Sequence, residues 1–256
     1  MIRIASAVAS HPGLRREDNE DAYCARQDLG LYMVADGMGG HAAGEIASRL
    51  VVEAVEAFIS ETRDADVQRT WPFPYDPSIS LDANRVKVAL RLANRRLAVA
   101  MAQNEALRGM ATTAALALFG RHTPVVAHVG DSRVYLWRNG TLEQVTEDHS
   151  WVGEQVRAGT LSEADARRHP WKNVVTRAIS GGEDPGVDVR DLEVRDGDRL
   201  MICSDGLSGV LPQDRLEAIV GADRSLDETC VALVDAANEA GGPDNITVAM
   251  LKVDVA

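Results

Sequence analysis

Polarity alternates with a period of two over residues 2–10, and the apolar-rich runs 22–26 and 31–35 flank a short Asp28-Leu29-Gly30 turn. The chain is therefore predicted to open with antiparallel strands. Residues 42–59 change to helical spacing, with Ile46, Leu50, Val51, Ala54, Val55 and Phe58 recurring on one side. The stretch 61–81 contains Trp71-Pro72-Phe73-Pro74-Tyr75-Asp76-Pro77, whose prolines forbid a regular helix, and reads as a surface loop. A second helix is predicted from Asp82, an acid competent to cap it, to about residue 105, with Val86, Leu90, Ala93 and Leu97 along one face.

Strands are predicted at 112–119, 125–129 and 134–137, and Asn139-Gly140 suits the tight hairpin turn leading into 142–145. The connections are short, which implies antiparallel pairing. Residues 150–169 turn helical and polar, 187–192 and 200–203 return to strands, and helices at 212–220 and 226–240 precede a last strand at 247–253. Runs of strands bracketed by helix pairs predict an α+β fold, a sandwich of two antiparallel sheets with helices on the outer faces. No repeat, low-complexity tract or linker breaks the pattern, so one domain over 1–256 is expected.

Composition supports this picture and narrows the partners. A chain of 256 residues that is 45% hydrophobic can bury a substantial core. No apolar run approaches the roughly 20 residues needed to cross a bilayer, and Met1-Ile2-Arg3-Ile4 leads straight into a strand pattern, so a soluble cytoplasmic protein without membrane partners is expected. Acids outnumber bases by 39 to 27, a formal charge of −12, which makes nucleic acid and anionic membranes poor partners. Cys24, Cys203 and Cys230 are odd in number and widely spaced, which indicates neither a disulfide framework nor a zinc cluster.

The candidate chemistry lies in four acidic stations: Asn19-Glu20-Asp21, Asp36-Gly37-Met38-Gly39-Gly40-His41, Ser204-Asp205-Gly206 and Gly242-Pro243-Asp244-Asn245-Ile246-Thr247. Three of them set an acid beside glycine or proline at the end of an apolar run, as expected where a strand stops and its turn presents a carboxylate. A lone Asp-Gly is commonly just a turn. Several such carboxylates brought together would suit Mg²⁺ or Mn²⁺, which prefer oxygen ligands, and would be costly without a cation.

Eight segments in order carry a family resemblance: Gly13 to Asp21, Asp36 to Ala47, Met110-Ala111-Thr112-Thr113, His128-Val129-Gly130-Asp131-Ser132-Arg133, Thr146-Glu147-Asp148-His149-Ser150, Asn173 to Gly181, Ser204-Asp205-Gly206-Leu207, and Pro243 to Val248. The chain resembles a bacterial metal-dependent serine/threonine protein phosphatase of the PPM (type 2C) family. That resemblance implies a four-layer α-β-β-α sandwich and a flap subdomain at about 150–172. It also implies hydrolysis of phosphoserine and phosphothreonine by a water bridging two Mn²⁺ or Mg²⁺ ions, with a third, weaker ion in bacterial members. The implied partners are phosphoproteins, among them a serine/threonine kinase, and the chain is expected to be a monomer.

The resemblance makes Asp36 the carboxylate that bridges two metals, with the Gly37 carbonyl beside it, and gives Asp205 and Asp244 to the first metal. Glu20 and Asp21 fall beside the second, where retained waters make indirect contacts natural. Arg16 matches the phosphate-binding arginine, whose planar fork suits two phosphate oxygens. Arg15 competes with it, and in a strand the two would point to opposite faces. Asp131 matches an acid that helps hold the third metal with the acid at Asp205; its alternative is to cap a turn or pair with Arg133. Ala111 stands where the family has glycine. Met38 stands where some members carry a histidine proposed as general acid, and a thioether has no proton to donate. His41 is open to a catalytic or a helix-start role. The alternatives in function are a phosphatase dedicated to one regulatory phosphoprotein, such as an anti-sigma-factor antagonist, and a catalytically silent metal-binding regulator.

Overall fold

In the computed structural model, which describes residues 2–40, 43–64, 72–120 and 123–255, the alternating N-terminal run forms strand β1 (Ile2–His11). It is followed by β2 (Asp21–Arg26) and β3 (Leu31–Met38). Helices α1 (Ala43–Glu61) and α2 (Leu81–Gln103) come next. Strands β4 (Ala111–Thr112), β5 (Ala114–Leu118), β6 (Val125–Val129), β7 (Arg133–Arg138) and β8 (Thr141–Gln144) form the middle. Two short helices, α3 (Trp151–Arg157) and α4 (Glu163–Ala166), precede β9 (Asp188–Asp191) and β10 (Arg199–Cys203). Helices α5 (Asp205–Ser208), α6 (Gln213–Val220) and α7 (Leu226–Glu239) lead to β11 (Ile246–Val255).

The strands pair antiparallel into two sheets, β1-β11-β10-β7-β8 and β2-β3-β5-β6-β9, with β4 added to β3. The period of two then sorts side chains into layers. On β3, Tyr32 and Val34 enter the layer between the sheets, where they meet Ala249, Leu251 and Val253 of β11. Leu31, Met33 and Ala35 of β3 pack instead against Val51 and Val55 of α1 and Leu90 of α2. Ile246, Val248 and Met250 of β11 face Leu216 of α6 and Leu233 of α7. The result is the expected four-layer α-β-β-α sandwich. Leu200, Leu251 and Leu90 are fully enclosed, and cutting such a side chain to alanine costs about 2–5 kcal/mol.

Several boundaries differ from the sequence expectation for physical reasons. β3 runs past Ala35 through Asp36 and Gly37, because Gly37 and Met38 pair with Thr112 and Ala111 of β4. Asp36 thus lies within a strand and not in the turn beyond it. The predicted strand 112–119 is broken at Thr113, whose N–H is spent on the Asp36 carbonyl (2.9 Å). Ser80, not Asp82, caps α2 by accepting from the Ala83 N–H at 3.2 Å. Asp82 turns inward to Arg85 (2.6 Å), which also donates to the Ile59 carbonyl, so the pair fastens α2 to α1. Within 61–81, residues 65–71, Trp71 included, lie outside the described residues. Beyond them Phe73 sits 4.1 Å beneath the Arg95 guanidinium, a cation–π contact that holds the loop against α2.

Candidate metal centre and cleft

Strand parity decides which acids can meet. Tyr32 and Val34 face the inner layer, so Asp36, on the same parity, faces it too. Ala22 and Cys24 face α1, so Asp21 also points inward, and the β2–β3 register sets Asp21 directly across from Asp36. On the opposite sheet, Ser204 follows Cys203 and Thr247 precedes Val248, two residues that face the outer helices. The Ser204 hydroxyl donates to Asp21 Oδ2 at 2.8 Å and accepts the Thr247 N–H at 3.0 Å, which joins the two sheets at this end.

Asp36 is held through its backbone. Its N–H donates to Thr113 Oγ1 (3.1 Å), its carbonyl accepts the Thr112 hydroxyl (2.8 Å), and Thr113 Oγ1 lies 2.7 Å from Ser132 Oγ. Ala111, in the place of the family's glycine, is nearly buried beside Met38 in the β3–β4 pairing, so its methyl fits without disturbing the threonines. Gly37 has no room for a side chain: a Cβ would come 2.1 Å from the Gly44 carbonyl and 2.6 Å from that of Glu20. This close approach brings β3, the start of α1 and the Glu20 segment together.

Residues 12–20 form turns between β1 and β2, so the opposite-faces argument for Arg15 and Arg16 does not apply. Asn245 shapes the loop. Its Nδ2 donates to the carbonyls of Pro12 (2.9 Å) and Asp18 (2.8 Å), and its Oδ1 accepts the Glu20 N–H (2.8 Å). Arg16 lines the cleft and Arg15 does not. The Arg16 guanidinium stands 2.9 Å from Asp244 Oδ2 with half its side chain exposed.

The acids perturb one another. Burial, reinforced by the charges of Asp205 and Asp244 and opposed by hydrogen bonds from Thr247 and Ser204, pushes Asp21 up to about 7. Burial and then the charges of Asp21, Asp205 and Asp131 hold Asp36 well above the usual carboxylate range. Asp131 is raised strongly by burial and by Asp205 and Asp148. Asp205 is raised by burial and Asp244, against a hydrogen bond with Asp36 and the charges of Arg133 and Lys172. Glu20 rises through burial, with Arg16 opposing. Asp21 Oδ1 is enclosed and has no hydrogen-bond partner. An all-oxygen set of mutually repelling carboxylates with an orphaned oxygen fits hard divalent cations such as Mg²⁺ or Mn²⁺, and does not fit a soft-metal site.

Asp131 occupies the turn by which the chain crosses from β6 to β7, hence from one sheet to the other, and is 7% exposed. The expected alternative partner, Arg133, is committed elsewhere. It forks onto Asp148 (2.6 and 2.8 Å) and donates to Tyr135 Oη (2.8 Å). His41 lies outside the described residues, and no described histidine lines the cleft.

Sequence reasoning missed a joint beneath the flap. His149 accepts the Gly130 N–H at Nδ1 (3.1 Å), donates its own N–H to the Gly130 carbonyl (2.9 Å), and reaches Asp188 through Nε2 (2.9 Å). It thereby ties the Asp131 turn to the segment that begins α3. The His128 and His149 rings stack at 4.4 Å and 26°. Nitrogen and oxygen atoms of His128, His149 and Asp188 fall within 4.8 Å of one another. Parallel rings do not aim their lone pairs at a common point, however, and the Arg177 guanidinium stands 3.3 Å from His149 Nε2. The recurrence of His128 and His149 inside two of the quoted motifs was the available signal. The role of Asn245 was likewise hidden in a motif noted for its neighbour Asp244.

A cleft of about 620 Å³ opens over Asp131, Asp205 and Asp244, walled on one side by the segment 150–173 and on the other by Ser208 to Gln213. The flap expected to be helical is two short helices, capped by Ser150 and Ser162. Its ends are fastened by Trp151, which stacks on His169 at 4.7 Å and meets Trp171 edge-on at 4.8 Å.

The chain is similar to known proteins in both sequence and fold. The chain is 35% identical to the serine/threonine phosphatase stp of Listeria welshimeri over 239 residues, which is 92% of this chain and 89% of that one. It is 36% identical over 249 residues to the serine/threonine protein phosphatase PstP of Mycobacterium tuberculosis, covering 96% of this chain and 44% of PstP. The crystal structure of the Mycobacterium tuberculosis phosphatase PstP/Ppp superposes with a TM-score of 0.85 at 32% identity over the whole of both chains. A second structure, of the PstP catalytic domain in complex with two manganese ions, gives 0.84 at 32% identity with the same coverage. The protein phosphatase 2C family model matches residues 9–242, and the chain belongs to that family.

Proposed function

We propose that this chain is a metal-dependent protein phosphatase that hydrolyses phosphoserine and phosphothreonine in proteins without a covalent enzyme intermediate. The observation that carries the reading is the convergence of Asp21, Asp36, Asp131, Asp205 and Asp244 at one mouth of the inner layer, beside an arginine that lines the same cleft. Asp36, with the Gly37 carbonyl beside it, would help hold two Mn²⁺ or Mg²⁺ ions, Asp205 and Asp244 serving the first and Glu20 and Asp21 lying beside the second. Asp131 and Asp205 would share a third, weaker one. Bound cations of this kind supply positive charge that acidifies water and neutralises phosphate oxygens.

The chain's own residues do the rest. Arg16, half exposed and paired with Asp244, presents a fork suited to phosphate oxygens. The Asn245 bonds keep its loop at the rim of the acid cluster. The Asp36 backbone is pinned by Thr112 and Thr113, which sets where its side chain leaves the strand. Met38 has no proton to give and so does not serve as the general acid for the leaving alkoxide. A thiol route is disfavoured, because burial pushes both Cys24 and Cys203 up to about 12.

This domain comprises residues 1–256 with a flap at about 150–172, acts as a monomer in the cytoplasm, and reverses the work of a serine/threonine kinase. Three free, buried cysteines suit a reducing compartment, and the charge of −12 disfavours nucleic acid. No described helix is long and apolar enough to cross a membrane. Retention of every acid favours catalysis over a silent regulator. The test is hydrolysis of a phosphothreonine peptide with Mn²⁺ before and after chelation, alongside Asp36→Asn. Turnover that survives both would refute the reading.

A further inference from the structure

Charges around the cleft pair off unevenly. Arg16 is taken by Asp244 (2.9 Å), Arg133 by Asp148 (2.6 Å) and Arg157 by Glu147 (3.6 Å). Asp131 and Asp205 belong to the acid cluster. What remains is Arg167, Lys172 and Glu163, all on the flap wall, a surplus of one positive charge in a chain that is otherwise strongly acidic. Arg167 touches the Leu211 carbonyl at 3.4 Å across the cleft. Lys172 has no ion-pair partner among the described residues. It is exposed, and it lines the cleft together with Asp205.

The backbone beneath Lys172 is fixed, which separates it from a lysine that merely waves in solvent. Its N–H donates to the His169 carbonyl (3.1 Å), and the Val174 N–H donates to the Trp171 carbonyl (3.1 Å). The two residues that bracket this turn, His169 and Trp171, are packed on Trp151. A cation on a braced turn, beside the acid cluster but facing the open cleft, is placed to meet something that arrives with the substrate. The complementary chemistry is an anion.

Resting on the phosphatase reading, we propose that Lys172, on the same cleft wall as Arg167, forms a subsite for an anionic group flanking the phosphorylated residue, so that the enzyme prefers phosphopeptides with an acidic neighbour. An extended peptide advances about 3.4 Å per residue, and Lys172 lines the same cleft as Asp205 and Asp244, so it meets residues that flank the phosphoresidue. The anion is a carboxylate or a second phosphoryl group, and an ammonium serves either as a point charge.

The test is a ratio, so that any general loss of activity cancels. Mn²⁺-loaded protein is assayed on matched phosphothreonine peptides whose flanking positions carry alanine, aspartate or a non-hydrolysable phosphonate analogue of phosphoserine, and kcat/KM is divided by that for the alanine peptide. The wild type should favour the acidic peptides by about fivefold, in line with a partly exposed charge pair. Lys172→Ala should bring the ratio close to one, and Lys172→Glu should invert it. Aspartate and phosphonate peptides of equal ratio identify any anion as the ligand, whereas a larger ratio for the phosphonate identifies a phosphoryl subsite. A wild-type ratio near one, or a ratio unchanged in Lys172→Glu, overturns the proposal. Failure of the phosphatase reading is distinct, since the wild type would then hydrolyse none of the peptides.

Discussion

Asp21→Asn should stabilise the metal-free protein while weakening its response to metal, and the size of the effect follows from linkage. Asp21 is raised to about 7 in the folded chain from an ordinary value of 3.8. Below the lower value both states hold the proton and the group contributes nothing. Between the two, the unfolded chain releases its proton and the folded chain does not, so stability falls as pH rises. Above the upper value the penalty is complete at about 4 kcal/mol, because each tenfold change in proton affinity is worth about 1.36 kcal/mol. Asparagine keeps an acceptor for the Ser204 hydroxyl and offers an amide toward Asp36 across the β2–β3 pair. The gain should therefore be about 4 kcal/mol near pH 8 and about 2 kcal/mol near pH 5, or about 10 °C in Tm at the higher pH for a chain of this size. Thermal and urea unfolding of chelator-treated wild type and variant at the two pH values measure it. Adding Mn²⁺ should raise the wild-type Tm more than that of the variant. A variant that is less stable than wild type near pH 8, or equally shifted at both pH values, would refute the electrostatic account.

Arg16→Ala should raise KM for a phosphopeptide with little change in Mn²⁺ affinity, and Arg15→Ala should do much less; equal effects would remove the distinction drawn between the two. Asn245→Ala leaves the Pro12 and Asp18 carbonyls and the Glu20 N–H without their partner, so it should cost roughly 2–4 kcal/mol by urea unfolding and raise KM as well. Unchanged stability would mean that water replaces the amide. Asp131→Ala should retain two Mn²⁺ by calorimetry yet lose most of kcat, a pattern that separates a weak third site from the tight pair; loss of all metal would refute that separation.

The layer order and most strands were legible in the sequence because a strand covered on both faces reads as an apolar run and a helix on a sheet reads as a stripe. What escaped was decided by single polar contacts. Nothing in Leu31 to Ala35 announces that β3 continues through Asp36, since that depends on β4 arriving from far along the chain to pair with Gly37 and Met38. α5 was missed because it spans only Asp205–Ser208, too short for any periodicity. The cap of α2 fell to Ser80, while Asp82 was drawn inward by Arg85, a partner on the same helix whose burial comes from packing on α1. The acids themselves were found through motif resemblance. The residues that hold them, Asn245, Ser204 and His149, carry ordinary hydrogen bonds that composition does not mark.

Antiparallel pairing alone explains why acids so distant in sequence meet. Asp21 opens β2 and Asp36 lies near the close of β3, so the β2–β3 pairing sets them side by side. Asp205 follows the end of β10 and Asp244 precedes the start of β11, so the β10–β11 pairing does the same on the other sheet. Asp131 sits where the chain leaves β6 for β7, the crossing that joins the two sheets at that same end. Period-two parity then turns Asp21 and Asp36 inward, toward a layer built largely of apolar side chains. Asp21 Oδ1 is enclosed there without a hydrogen-bond partner among the described residues. The end of the sandwich that carries the chemistry is thus the end that the protein's own groups leave electrostatically incomplete, and the stability it forgoes there is available to drive cation binding.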